Sequence, residues 1–76
     1  MNYISDRITI DDSLCNGQPT IRGKRISVTT ILEYLSAGDS KEEILHQYPS
    51  LEAEDISACL RFAAKLSSSH FTFKAV

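Results

Sequence analysis

The stretch from Gly38 to Pro49 limits what this chain can fold into more than any other. Gly38 reads as the residue just past a helix end, where a left-handed backbone strains glycine little. Ser40 with Glu43 three residues on is a capping box, in which each side chain satisfies an otherwise orphaned amide at a helix start. Pro49 stops the helix from running on. The spacing therefore predicts a helix of about two turns, with Ile44, Leu45 and Tyr48 on one face.

Apolar segments of helical period flank it. Before it, Val28, Ile31, Leu32 and Leu35 follow the i, i+3, i+4, i+7 pattern. Ser27 is the expected cap, with Thr29 a competing one, and Ser27 places Ile26 and Ile31 as a hydrophobic staple. After it, a helix from Ala53 to Leu66 is predicted to bury Ile56, Cys59, Leu60, Ala63 and Leu66, with Leu60 at the centre of the stripe. Glu52 would be its cap, and Leu51 and Ile56 a second staple. Three helices with so brief a middle one predict a small, mainly α, helix-turn-helix domain.

The N-terminal third reads differently. Residues 1–7 are expected to be a loose arm, and Ile8-Thr9-Ile10 alternates like a short strand. Asn16-Gly17 is a tight-turn dipeptide. Thr20 to Ser27 predicts a hairpin with Gly23-Lys24 as its two-residue loop, Ile21 opposite Ile26 and Arg22 opposite Arg25. Two opposed arginines favour an anion lying between them. The basic group Arg22, Lys24 and Arg25 is thus one candidate contact with DNA phosphates. Ser57, Ala58, Arg61 and Lys65, expected on the exposed side of the third helix, are another.

Charge weighs against nucleic acid. The 76 residues carry a formal net charge of −2, and Glu52, Glu54 and Asp55 crowd the start of the third helix. In a DNA-binding helix-turn-helix that end enters the major groove. The alternative role for these carboxylates is favourable contact with the helix dipole. Catalysis has no support in the pattern: there is no nucleophile elbow, phosphate loop or metal signature, and His46 beside Glu42 reads as a surface ion pair. No cofactor or metal is expected. Cys15 and Cys59 form no metal or disulfide motif, and Cys59 falls on an apolar stripe as plain core. No apolar run nears the length of a membrane span and no signal-peptide pattern opens the chain, so the expected location is cytoplasmic.

A single domain this small buries little of its surface, so a homodimer is expected. The tail from residue 67 to 76 would supply Phe71 and Phe73 to a partner or to a groove between helices.

The segment Gly17-Gln18-Pro19-Thr20-Ile21-Arg22-Gly23-Lys24-Arg25-Ile26-Ser27-Val28 resembles the signature Gly-x-Pro followed by Ile-x-Gly-x-Arg-Ile-x-Val. Gly38, Ser40 to Ile44, Tyr48-Pro49, Leu51, Glu54 to Ile56, Ala58 and Leu60 continue the pattern in register. Over residues 8–66 the chain resembles the domain of unknown function 433, a family of short prokaryotic proteins. The resemblance implies a homeodomain-like or winged helix-turn-helix fold. It also implies the antitoxin half of a type II toxin–antitoxin pair, with a PIN-like ribonuclease toxin and operator DNA as partners. Lys24, Ser27 and Glu52 stand where threonine, proline and a threonine cap are common, and Glu52 adds acid to the groove-facing end. The rival expectation is a protein-interaction module that does not touch DNA.

Overall fold

Three helices pack against a three-stranded antiparallel sheet. The computed structural model describes residues 1–68, so the expectations for Phe71, Phe73 and most of the tail lie outside the described residues. In chain order the elements are β1 (Asn2–Ser5), β2 (Ile8–Ile10), a 3-10 turn (Cys15–Gly17), β3 (Thr20–Ile21), α1 (Val28–Ser36), α2 (Lys41–Gln47) and α3 (Ala53–Ser67).

The helices form where local chemistry asks for them. Ser27 caps α1, its hydroxyl accepting from the Thr30 amide at 3.1 Å. The far end of α1 closes in a Schellman motif, with the Gly38 amide donating to Leu35 and the Asp39 amide to Tyr34, and with Gly38 at φ +100°. At α2 both halves of the capping box are present: Glu43 N–H to Ser40 Oγ at 3.1 Å and Ser40 N–H to Glu43 Oε1 at 2.8 Å.

The sheet has the order β1-β2-β3. β1 corrects the expected loose arm. It pairs with β2 through Asn2–Ile10, Tyr3–Thr9 and Ser5–Ile8, with a bulge between Tyr3 and Ser5. Asn2, Tyr3 and Ile4 are all exposed, so β1 is an edge strand held by backbone bonds, without the buried alternation that would have signalled it.

The hairpin after β3 keeps its expected register but not its expected turn. Ile21 N–H donates to Ile26 at 3.1 Å, and Thr20 bridges Ser27. Lys24 N–H, however, donates to Ile21 O at 2.8 Å, and Arg22 (φ +46°) and Gly23 (φ +69°) both take left-handed backbone. Positive φ at both central positions is the signature of a type I′ turn centred on Arg22-Gly23, not on Gly23-Lys24. The turn sits on a buried pair, Thr9 Oγ1 and Thr20 Oγ1 at 2.9 Å, and Thr9 Oγ1 also accepts from the Gly23 amide at 2.8 Å. These bonds satisfy hydroxyls that would otherwise be costly to bury.

The core lies between sheet and helices, and Ile8, Ile21, Ile31, Ile56 and Cys59 are completely buried in it. Leu60 is not: it is 44% exposed, and Leu66 is 56% exposed. The inward face of α3 is displaced toward Asp55, Ala58 and Phe62, which leaves Leu60 at its margin. Beyond Ala63 every described residue of the helix is exposed. Ala58, expected on the solvent side, is 2% exposed and belongs to the core. Among the described residues no helix is long and apolar enough to cross a membrane.

Candidate functional site

The densest polar construction in the molecule joins the two turns of the sheet to the start of α3. Arg7, in the β1–β2 turn at φ +63°, and Arg22, in the type I′ turn, lie side by side, with Arg22 N–H donating to Arg7 O at 3.0 Å. Both guanidinium groups converge on Asp55, whose side chain is fully buried. Arg22 binds it in bidentate fashion, Nε to Oδ1 at 2.9 Å and Nη2 to Oδ2 at 2.7 Å. Arg7 Nη1 adds a bond of 3.0 Å to Oδ1. The Glu52 amide donates to Oδ2 at 2.7 Å, so Asp55 also supplies half of a capping box for α3. The Glu52 side chain makes no capping bond and turns to Arg7, at 2.7 Å.

Burial alone would raise the Asp55 pKa. The Arg22 fork, the Glu52 amide and Arg7 outweigh it and hold the carboxyl at about 2. Asp55 is therefore ionised at neutral pH, with donors around both of its oxygens. The charges of Arg7, Arg22, Glu52 and Asp55 cancel. Such a cluster is a clamp between distant segments, with the Asp55 carboxylate taken up by donors from both arginines and the Glu52 amide.

The clamp changes the standing of the expected DNA-contact residues. Arg22 does not oppose Arg25; it points to α3 and is spent on Asp55 and on Ser50 O at 3.3 Å. The reason is the turn: at its first central position Arg22 leaves the ladder of facing pairs. Lys24 is half-buried and Arg25 exposed, and among the described residues neither lies within ion-pair distance of a carboxylate. Ser57 accepts a bond from Lys41 Nζ at 3.1 Å. Arg61 pairs with Asp6 at 3.0 Å and lies 3.9 Å from Glu54. Lys65 is exposed near the end of α3. The structure thus separates the expected cations into two engaged arginines, Arg22 and Arg61, and three groups, Lys24, Arg25 and Lys65, that have no carboxylate partner among the described residues and share no single surface element.

Sequence reading missed Asp55 as the hub. Its signal was present: Asp55 stands three residues after Glu52, the spacing of a capping box. Among the described residues no three His, Cys, Asp or Glu side chains gather as a metal would need. The Cys59 thiol is pushed up to about 11 by burial and by the charge of Asp55, which leaves it inert as core.

The profile of the family described as "Protein of unknown function (DUF433)" matches residues 8–63. The chain belongs to the DUF433 family. The match takes in Arg22, Glu52 and Asp55 but not Arg7 or β1, so the clamp is completed from outside the family core. The chain is similar to uncharacterized protein y4eO of Sinorhizobium fredii (strain NBRC 101917 / NGR234), with 37% identity over 49 residues. That alignment takes in 64% of this chain and 22% of y4eO. It is also similar in structure to a DUF433 member protein from Anabaena variabilis ATCC 29413, solved at 2.00 Å. There the TM-score is 0.74 at 39% identity, over 78% of this chain and 58% of the other. Both relatives extend well beyond the length that this DUF433 chain matches.

Proposed function

We propose that this DUF433 chain works by binding and not by catalysis, as the antitoxin of a type II pair that holds a PIN-like ribonuclease toxin through protein–protein contact. The observation that carries this reading is the disposition of charge. Of the arginines that could have met phosphate, Arg22 and Arg61 are engaged by carboxylates, and Glu52 and Glu54 remain exposed at the start of α3. The exposed Leu60 and Leu66 on α3 offer apolar area to a partner or to a second copy in a homodimer. The test is co-expression with a PIN-like ribonuclease from the same genome. A stable complex and loss of ribonuclease activity are expected. A nuclease that purifies alone and keeps full activity overturns the reading.

Operator DNA is the second reading. The short α2 between α1 and α3 supports a helix-turn-helix of the homeodomain-like or winged kind, and Lys24, Arg25 and Lys65 are free of carboxylate partners among the described residues. In this reading Lys24 and Arg25 neutralise DNA phosphates and Arg22 does not. Replacing both by alanine should reduce the salt slope of promoter binding by about 0.9 for each phosphate no longer neutralised. Unchanged slopes would remove the hairpin from any DNA role.

A further inference from the structure

We infer that the cleft along the outer face of α1 is a docking groove for a cationic, amphipathic segment of a partner protein. The inference rests on the protein-binding reading above and names the face and the partner chemistry.

The groove begins with the second stripe of α1. Val28 and Ile31 bury one side of the helix, while Thr30, Glu33, Tyr34 and Ala37 recur at i, i+3, i+4 and i+7 on another. With Asp39 they line an open cleft of about 390 Å³. A smaller hollow of about 90 Å³ continues from Tyr34 and Asp39 to Glu43 and Ile44 on α2.

Tyr34 is common to both, and it is held in place from two sides. Its ring meets Tyr48 edge to face, with centroids 5.9 Å apart, and Gln47 Nε2 donates to its hydroxyl at 3.3 Å. A fixed aromatic beside the small Ala37 is a seat for one large apolar side chain.

The rim carries one sign of charge. Among the described residues Glu33, Asp39 and Glu43 are the ionisable groups around the cleft besides the tyrosine, and no lysine, arginine or histidine lines it. Glu43 is kept ionised by the Ser40 amide and hydroxyl, which lower its pKa. The cation of α2, Lys41, turns away to Ser57 on α3. A phosphate backbone or an anionic membrane would be repelled here. A short helix with one leucine or phenylalanine for the Tyr34–Ala37 seat and lysines or arginines for Glu33 and Asp39 fits in both shape and charge.

The probe is a short synthetic helix of leucine and lysine bearing a fluorophore, titrated by anisotropy against the full chain. Its controls are the same composition scrambled to destroy the apolar stripe, and a version with every lysine replaced by glutamate. Glu33→Lys and Ala37→Trp should each weaken binding by about tenfold, while Asp12→Lys, in the loop after β2, should leave it unchanged. Circular dichroism of each variant checks the fold. Failure of the native chain to bind at low salt overturns the proposal, and so does equal weakening by Asp12→Lys or equal binding of the scrambled helix. If sedimentation shows that Glu33→Lys dissociates a native dimer, a second copy fills the groove and the proposal falls. A nuclease complex that survives both groove variants keeps the antitoxin reading and overturns the groove. Peptide binding at the groove without a nuclease complex does the reverse.

Discussion

The start of α2 and the start of α3 solve the same problem by different means. At α2 the solution is local, since Ser40 and Glu43 satisfy each other's amides within one turn. At α3 the cap residue Glu52 makes no side-chain cap, and the helix end is fixed by Asp55, which in turn is held by Arg7 and Arg22 from 48 and 33 residues away. The local device acts as soon as the helix forms. The long-range one acts only when sheet and helix have met, and so it joins the formation of α3 to the docking of both β-turns. The two strained arginines, both at positive φ, are stable in that backbone because the same clamp over-determines them.

The largest test of this contrast removes the hub. Asp55→Asn leaves two guanidinium groups and the Glu52 amide facing a neutral amide that can satisfy only part of them. Breaking a buried pair in this way typically costs about 3–5 kcal/mol, a large part of the stability of a domain this small. Arg7→Ala should cost less than Arg22→Ala, because the bidentate fork survives only in the first. Urea denaturation of the three variants gives the order. An Asp55→Asn loss below about 1 kcal/mol would mean that the cluster is surface decoration.

Acid should act on both helix starts, since the folded pKa values of Asp55 and of Glu43 both lie below their ordinary values, with the larger loss at α3. The folded pKa of Asp55, about 2, lies below the ordinary 3.8, so the unfolded chain takes up the proton first as pH falls. Its contribution is complete above about pH 5 and is lost on the way down through the folded value, for a total of roughly 2 kcal/mol. The arginines keep their charge throughout, so the clamp shows no matching loss as pH rises through neutral into the mildly alkaline range. Urea midpoints measured from pH 7 to pH 2 should fall more steeply for the native chain than for Asp55→Asn. Parallel curves would separate Asp55 from the acid response.

How much of this was legible in the sequence follows the same division. Ser27, Gly38, Ser40 with Glu43, and Pro49 each act on neighbours within four residues, and the helix bounds they predict are those observed. β1 was not legible because its side chains bury little and its bonds are to backbone. The turn at Arg22-Gly23 was misplaced by one residue, because glycine suits the first position of one hairpin turn and the second of another. That one residue turned Arg22 from a partner of Arg25 into a partner of Asp55. Leu60 was expected at the centre of the stripe from its place in the apolar spacing between Ile56 and Leu66, but Asp55 is fully buried and the inward face of α3 turns toward it. The family resemblance named the pattern that holds Arg22 and Asp55 without saying that they touch.

The smallest effect belongs to the local device. Ser40→Ala removes the hydroxyl that accepts from the Glu43 amide, while Glu43 Oε1 can still accept from the amide of residue 40. The site is exposed, so water replaces the lost acceptor, and the expected cost is about 1 kcal/mol. Adding Glu43→Ala should cost less than the sum of the two single changes, because the halves of the box hold each other in place. Neither change should alter the pH dependence assigned to Asp55, since Gly38 and the Schellman motif of α1 still fix where α2 begins. Amide hydrogen exchange sharpens the result. Ser40→Ala should speed exchange in the first turn of α2 and leave the first turn of α3 untouched, whereas Asp55→Asn should speed exchange at α3, in β2 and in the Arg22-Gly23 turn together. If Ser40→Ala also released the sheet, the two helix starts would be one cooperative unit and the distinction between them would be lost.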